Sequence, residues 1–416
     1  MQTAALAGFP LSLPEIPTPF RSVIEELSAR GADAAFTGPC VADWFRGDTP
    51  AAVEITTTAS KSEVLATFRS GVGIRPTTAM LPTSAGPVDI TSVEPARGIG
   101  GSLRDRDFTQ HAMAYDPIRS QLFDPFEGRL HLGKGRLCAV GAPEAALAAD
   151  PLRALRALRL VATHGVELEE HLARALGAVA APLARSAPNR LRFELCSLLM
   201  GSEVAAALTL MRTSGIEQRL ASGVRDDAAR VVATLPFARV VRLAGWLRGA
   251  DAADALRRLR FPRREAQRID LLVHLHPLDV VVQPERVTSV RRLLKRAGEE
   301  NVRVLMAFRG AELDAEGAAP DSAGRRWIEA LASGIERVGA EAELASRRSA
   351  LAIDGAGVME VLGCPAGPTV GLALRHLAEC VGRDPSCNER DRLVKLLADW
   401  TPPEHDADRV RANPAD

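Results

Sequence analysis

The chain has 416 residues, 46% hydrophobic and 25% charged, which is enough for two or more packed domains of a globular protein. Lys plus Arg and Asp plus Glu number 52 each, so net charge announces no nucleic-acid partner, and any RNA-binding surface must come from local clustering, as between Arg153 and Arg192. Six cysteines without a CxxC pair or accompanying His spacing point to free thiols, and the absence of a signal-like start or a long apolar run points away from membranes and to the cytoplasm.

Residues 1 to about 18, with Pro10, Pro14 and Pro17, read as a loose arm, and Phe20 to Arg30 has helical spacing. Ala34 to Gly47 reads as a short strand, a turn and a helix. A second strand at Ala52 to Thr57 precedes a helix from about Lys61 to Phe68, and Pro87 to Val93 alternates like a further strand. From Asp150 nearly everything reads helical: Leu168 to Val179, Arg190 to Met200, Ser202 to Thr213, then shorter segments to Leu275. Further helices are expected at Val287 to Ala297, Glu300 to Phe308, Ser322 to Val338 and Gly371 to Val381, with a polar, Pro-containing tail after Trp400. The class is therefore α+β, a small head with a mixed sheet followed by an all-helical remainder.

Asp150 suits an N-cap and Pro151 a first helical turn, so a helix should start here. Arg153, Arg156 and Arg159 recur every third residue beside Leu152, Leu155 and Leu158, giving a guanidinium stripe next to an apolar one. On composition alone this is a surface helix with solvated arginines. Ahead of it stand Arg106-Asp107-Phe108-Thr109, then Asp124 and Gly128, then Ala139-Val140-Gly141. This order and spacing resemble the head-to-neck junction of the tRNA nucleotidyltransferase/poly(A) polymerase family in its class II form.

The resemblance spans about residues 30 to 400 and implies a flexible arm at 1–18, a nucleotidyltransferase-like head at 19–141 and a helical neck at 142–202. A helical body at 203–285, an RNA-binding-like helical tail at 286–400 and a disordered end at 401–416 complete it. Such enzymes transfer NMP from CTP or ATP to an RNA 3′-hydroxyl, with divalent ions such as Mg2+ held by carboxylates on adjacent strands. The matching catalytic and metal positions here are Glu54 and Asp89. The family's Asp-x-Asp reads Ala52-Val53-Glu54, its Gly-Gly turn reads Gly38-Pro39, and its Val-Arg-Asp reads Val41-Ala42-Asp43. Pro39 removes a backbone N–H and Ala42 a cation that would have met phosphate.

By the same resemblance Gly38, Arg106, Asp107, Asp150, Arg153 and Arg156 bind nucleotide, Asp150 and Arg153 reading the base edge in a Glu-Asp-x-x-Arg motif that here begins with Ala149. Arg159, Arg190 and Arg192 would meet RNA, although Arg190 and Glu194 at i, i+4 also read as a helix-surface ion pair. Gly367-Pro368-Thr369-Val370-Gly371 resembles the family's C-terminal region and reads as a turn opening a helix, either a plain helix start or one whose backbone N–H groups meet RNA phosphates. No His lies between Val240 and Asp254, so no appended metal phosphohydrolase is expected. The expected partners are tRNA or another RNA 3′ end with CTP or ATP, and oligomeric state stays open. The expected function is RNA 3′-end nucleotidyl transfer with a weakened metal site; the alternatives are an inactive RNA-binding relative, a pseudoenzyme, or a helical interaction scaffold.

Overall fold

The structure, a computed structural model, describes residues 15–278, 282–349 and 351–401, the side chains of 344–349, 383 and 385 excepted. Most of the expected arm, and the expected tail from 402 onward, lie outside the described residues. Backbone contacts divide the chain into Met1–His276 and Pro277–Asp416.

The first unit opens with α1 (Thr18–Ala29), whose Phe20, Val23, Ile24 and Leu27 fall at helical spacing and are buried. Next come β1 (Ala34–Thr37), α2 (Pro39–Arg46), β2 (Val53–Thr57), α3 (Lys61–Thr67), β3 (Val72–Gly73), β4 (Thr78–Thr83) and β5 (Gly86–Ser92). After α4 (Gly98–Leu103), the strands β6 (Ala114–Asp116) and β7 (Gln121–Phe123) complete a seven-stranded sheet of order β3-β4-β5-β2-β1-β6-β7. The sheet is mixed as expected, because β2 and β5 run parallel while the other neighbours are antiparallel. Its core holds Phe36, Ile55, Val88 and Ile90, with Trp44 edge-on to Phe36 at 4.9 Å between centroids. α3 begins with a capping box in which Ser60 Oγ accepts from Glu63 N and Glu63 Oε2 accepts from Ser60 N.

α5 (Gly128–Gly133) is set by Asp124, whose carboxylate accepts from Gly128 N at 2.7 Å and Arg129 N at 2.9 Å. β8 (Arg136–Leu137) then leads to α6 (Pro143–Ala149) and α7 (Leu152–His164). α7 starts two residues past Asp150, whose Oδ1 accepts from Leu152 N at 3.2 Å, and ends at Gly165 in the left-handed region. The helix expected at Leu168 to Val179 is broken up. β9 (Glu167–Leu168) pairs parallel with β8, α8 (Glu170–Ala175) follows, and Leu176–Val179 is a 3-10 turn. After α9 (Ala180–Leu183), α10 (Pro188–Leu199) and α11 (Val204–Thr213) pack on α7, and helices continue to Arg263–Leu275.

The second unit is helical at Val287–Ala297, Glu299–Ala315, Ala323–Ser349, Gly355–Leu362, Pro368–Arg383 and Arg390–Ala398. The expected helices at Glu300 to Phe308 and Gly371 to Val381 are longer than the sequence pattern suggested, and the helices at Gly355 and Arg390 were not expected. The turn at Gly367 does open a helix.

Gly128 marks the tightest approach in the head: a Cβ there would stand 2.1 Å from the Thr109 carbonyl oxygen. Gly128→Ala should therefore destabilise the unit by about 3 kcal/mol, the upper end of overpacking costs, as a lowered urea midpoint with unchanged m.

Candidate active site

β2 and β5 lie side by side in register with Glu54 opposite Asp89, so the parallel pairing alone sets the two carboxylates on neighbouring strands. They line a cleft of about 1100 Å3 that also reaches Arg106, Asp107, Arg156 and Arg159. Arg106 Nη1 donates to Glu54 Oε2 at 2.7 Å, and its Nη2 donates to Thr37 Oγ1 at 3.1 Å. Thr37 in turn shares a 2.8 Å hydrogen bond with Thr56. Gly38 closes the arrangement: at φ +80° it turns the chain from β1 into α2, and a Cβ there would be 2.7 Å from Glu54 Oε2 and 2.8 Å from Arg106 Nη1. Burial pushes the Asp89 carboxyl up, Arg75 pulls it back and Glu54 raises it again.

A second cluster ties the head to α7. Asp107 is buried, accepts from His111 Nδ1 at 2.9 Å and from Arg156 Nη1 at 2.7 Å, and also takes the N–H of Phe108. Burial alone would raise its carboxyl, but His111 and Arg156 bring it well below the usual carboxylate range. Arg156 Nε reaches Glu194 Oε1 at 3.3 Å, and Arg159 Nε donates to Glu194 Oε2 at 2.6 Å. Glu194 is buried on α10, so the expected surface pair with Arg190 does not form. Its partners are Arg156 and Arg159, because α7 packs directly on that face of α10. The arginine stripe is half-buried rather than solvated.

Asp150, Arg153, Arg190 and Arg192 are not among the residues that line this cleft. Asp150 pairs with Arg190 at 3.2 Å, and Arg153 Nη2 donates to the Asp105 carbonyl at 2.8 Å. Arg192 donates to the carbonyls of Leu259 and Arg260 and sits 5.7 Å from the Phe261 ring centre. Sequence reading missed Thr37, Lys61 and Arg75, and gave His111 no role. Lys61 and Arg75 line the cleft from α3 and the β3–β4 loop, and only the sheet topology brings those elements to it.

A mixed-sheet head followed by helices, with two in-register strand carboxylates in a cation-lined cleft, is the arrangement that the resemblance to nucleotidyltransferases implies. A CC-adding tRNA nucleotidyltransferase of Shouchella clausii is 34% identical over 194 residues, which cover 46% of this chain and 51% of that protein. A CCA-adding enzyme of Geobacillus kaustophilus is 28% identical over 400 residues, covering 90% of this chain and 95% of that protein. The crystal structure of the Bacillus stearothermophilus CCA-adding enzyme in complex with CTP matches with a TM-score of 0.63 at 26% identity, over 95% of this chain and all of that one. No family model matches. Over most of its length the chain is thus similar to enzymes of the class II tRNA nucleotidyltransferase family.

Nucleotidyltransferases of this family use divalent metal ions. The residues here do not fit a pair of them. Ala52 offers a methyl group in place of a carboxylate, and Glu54 Oε2 is already taken by Arg106 in a pair whose side chains are only 35% and 25% exposed. Asp43 and Asp48 do not line this cleft. They gather with His164, their ligand atoms within 4.8 Å of one another, the one such three-residue group among the described residues, and Arg46 already pairs with both aspartates.

Asp107→Asn leaves Arg156 and His111 facing a neutral amide in a buried setting, and should cost about 3 to 5 kcal/mol. The Asp107 carboxyl is depressed in the fold, so its stabilisation is present above the unfolded value near about 3.9 and lost as pH falls below it. Urea titrations from neutral pH to about pH 2 should show a fall in stability that is shallower in the variant; identical slopes would refute this role.

Proposed function

We propose that this chain is an RNA 3′-end nucleotidyltransferase of the tRNA CCA-adding or polyadenylating kind, acting in the cytoplasm, whose transfer step is weakened. The observation that carries the reading is the single cleft that gathers Glu54, Asp89, Arg106, Asp107, Arg156 and Arg159. In this reading CTP or ATP enters that cleft beside Gly38, with Arg106 toward phosphate or ribose. Asp150 and Arg153 read the base edge, and the 3′ end of a tRNA-like RNA runs along Arg159, Arg190 and Arg192. The head would occupy 19–141, the neck 142–202, the body 203–285 and the tail 286–400. Support comes from two sides: the relatives named as CC- and CCA-adding enzymes, and the similar structure that holds CTP.

Any residual transfer would use Mg2+ at Glu54 and Asp89. Loss of one carboxylate should slow transfer on the order of 10³-fold, or about 4 kcal/mol of barrier. A second reading, a protein that binds without chemistry, is favoured by Ala52, Ala42, Pro39 and the Arg106–Glu54 pair.

Purified protein with tRNA lacking its 3′ end, labelled CTP or ATP and Mg2+ or Mn2+ should incorporate label slowly, and Glu54→Ala should abolish it. Incorporation of nothing with retention of tRNA would select the second reading; neither label nor tRNA held would defeat both. Arg156 is unsuited to testing RNA contact, since its removal uncovers buried Asp107 and Glu194. Arg190, with its side chain 56% exposed, is suited. Arg190→Ala should weaken tRNA binding and reduce the salt slope by about one phosphate contact; unchanged affinity would remove Arg190 from the RNA path.

A further inference from the structure

The cleft around Glu54 and Asp89 is rich in unspent hydrogen-bond donors, and most of its carboxylates are already engaged. Arg106 uses Nη1 on Glu54 and Nη2 on Thr37, leaving the rest of its fork uncommitted. Lys61 lines the cleft and spends one donor, on the Arg75 carbonyl at 2.7 Å. The Arg75 side chain makes no hydrogen bond or ion pair with another described residue, yet stands close enough to Asp89 to act on its carboxyl. On the acceptor side, Glu54 is engaged by Arg106, Asp107 by His111 and Arg156, Asp105 by Arg97 and Glu63 by the α3 capping box, which leaves Asp89, with Arg75 beside it, and Glu94 as the lining carboxylates without a hydrogen-bonded partner among the described residues. A divalent cation needs several open oxygen ligands, whereas a polyphosphate is acceptor-only and needs converging N–H groups.

The positions are also pre-set. Arg106 is held by Glu54 and by Thr37, itself fixed to Thr56, and the pair sits so close to Gly38 that not even a methyl group fits between. Lys61 is packed equally tightly, its Nζ 2.8 Å from where a Cβ on Gly73 would lie. Donors ordered before the ligand arrives cost little entropy when it binds.

We propose that Arg106, Arg75 and Lys61 take the place of divalent ions in this cleft, which binds the polyphosphate of a nucleoside triphosphate without metal. The proposal rests on the reading that the cleft takes a nucleotide. It goes further by assigning Lys61 and Arg75 a ligand role and by removing the ion from the binding step.

Isothermal titration of the full chain with CTP, without RNA, in excess EDTA and again in millimolar Mg2+, tests it. Dissociation constants agreeing within about threefold are expected, with Arg75→Ala and Lys61→Ala each weakening binding at least about tenfold in EDTA. Inorganic tripolyphosphate should compete in EDTA. Both residues border an exposed loop, and unchanged urea midpoints in the variants would show that the fold is intact. Binding that weakens more than about tenfold in EDTA and returns with Mg2+ would overturn the proposal while leaving the nucleotide reading standing. No CTP binding in either buffer would overturn both.

Discussion

Everything on the functional side of this molecule hangs on one buried carboxylate, Asp107. Burying a charge is costly unless it is paired and hydrogen-bonded, and the head alone supplies only His111 and the Phe108 N–H. The remaining partner, Arg156, comes from α7, and Arg156 is itself shared with Glu194 on α10. Arg159 completes the chain of contacts on Glu194. The sheet-bearing head and the helices α7 and α10 are thereby joined by an alternating series of acids and arginines. The wall of the cleft nearest α7 is built from that series, so its shape follows from satisfying Asp107.

At Glu54 a different consequence of charge balance is visible. With Ala52 in the chain, Glu54 lacks the neighbouring acid that would make a strong metal site, and its carboxylate is met by the guanidinium of Arg106. Gly38 is indispensable to that contact because it lets the backbone pass within van der Waals reach of the ion pair. Pro39, in place of a second glycine, costs the fold nothing, since it occupies the first helical position of α2, where an N–H has no partner within the helix. The residues that depart from the motif the chain resembles are thus locally compatible with the fold while changing what the cleft is suited to hold.

Much of the architecture was legible in the sequence. Periodicity located β1, β2, α3, β5, α7 and most later helices, because each buries a face whose spacing matches its own repeat. The short strands β3, β6 and β7 gave no such signal, being two or three residues long and stabilised by their neighbours in the sheet. The segment from Leu168 to Val179 misled for a related reason: its apolar spacing is helical, but Glu167–Leu168 is drawn into pairing with β8. Motif spacing marked Glu54, Asp89, Arg106, Asp107 and Arg156, and these do meet in one cleft.

What the sequence determined by itself was the class of fold, the family resemblance and the absence of an acid at position 52, since these reside in local periodicity and in residue identity. Tertiary structure alone decided the partners. Glu194 left Arg190 for Arg156 and Arg159, Asp150 took Arg190, Glu54 took Arg106, and Lys61 and Arg75 arrived at the cleft from elements with no motif. A charged side chain chooses among all the opposite charges that packing brings within reach, and that set depends on how strands and helices far apart in the chain come together.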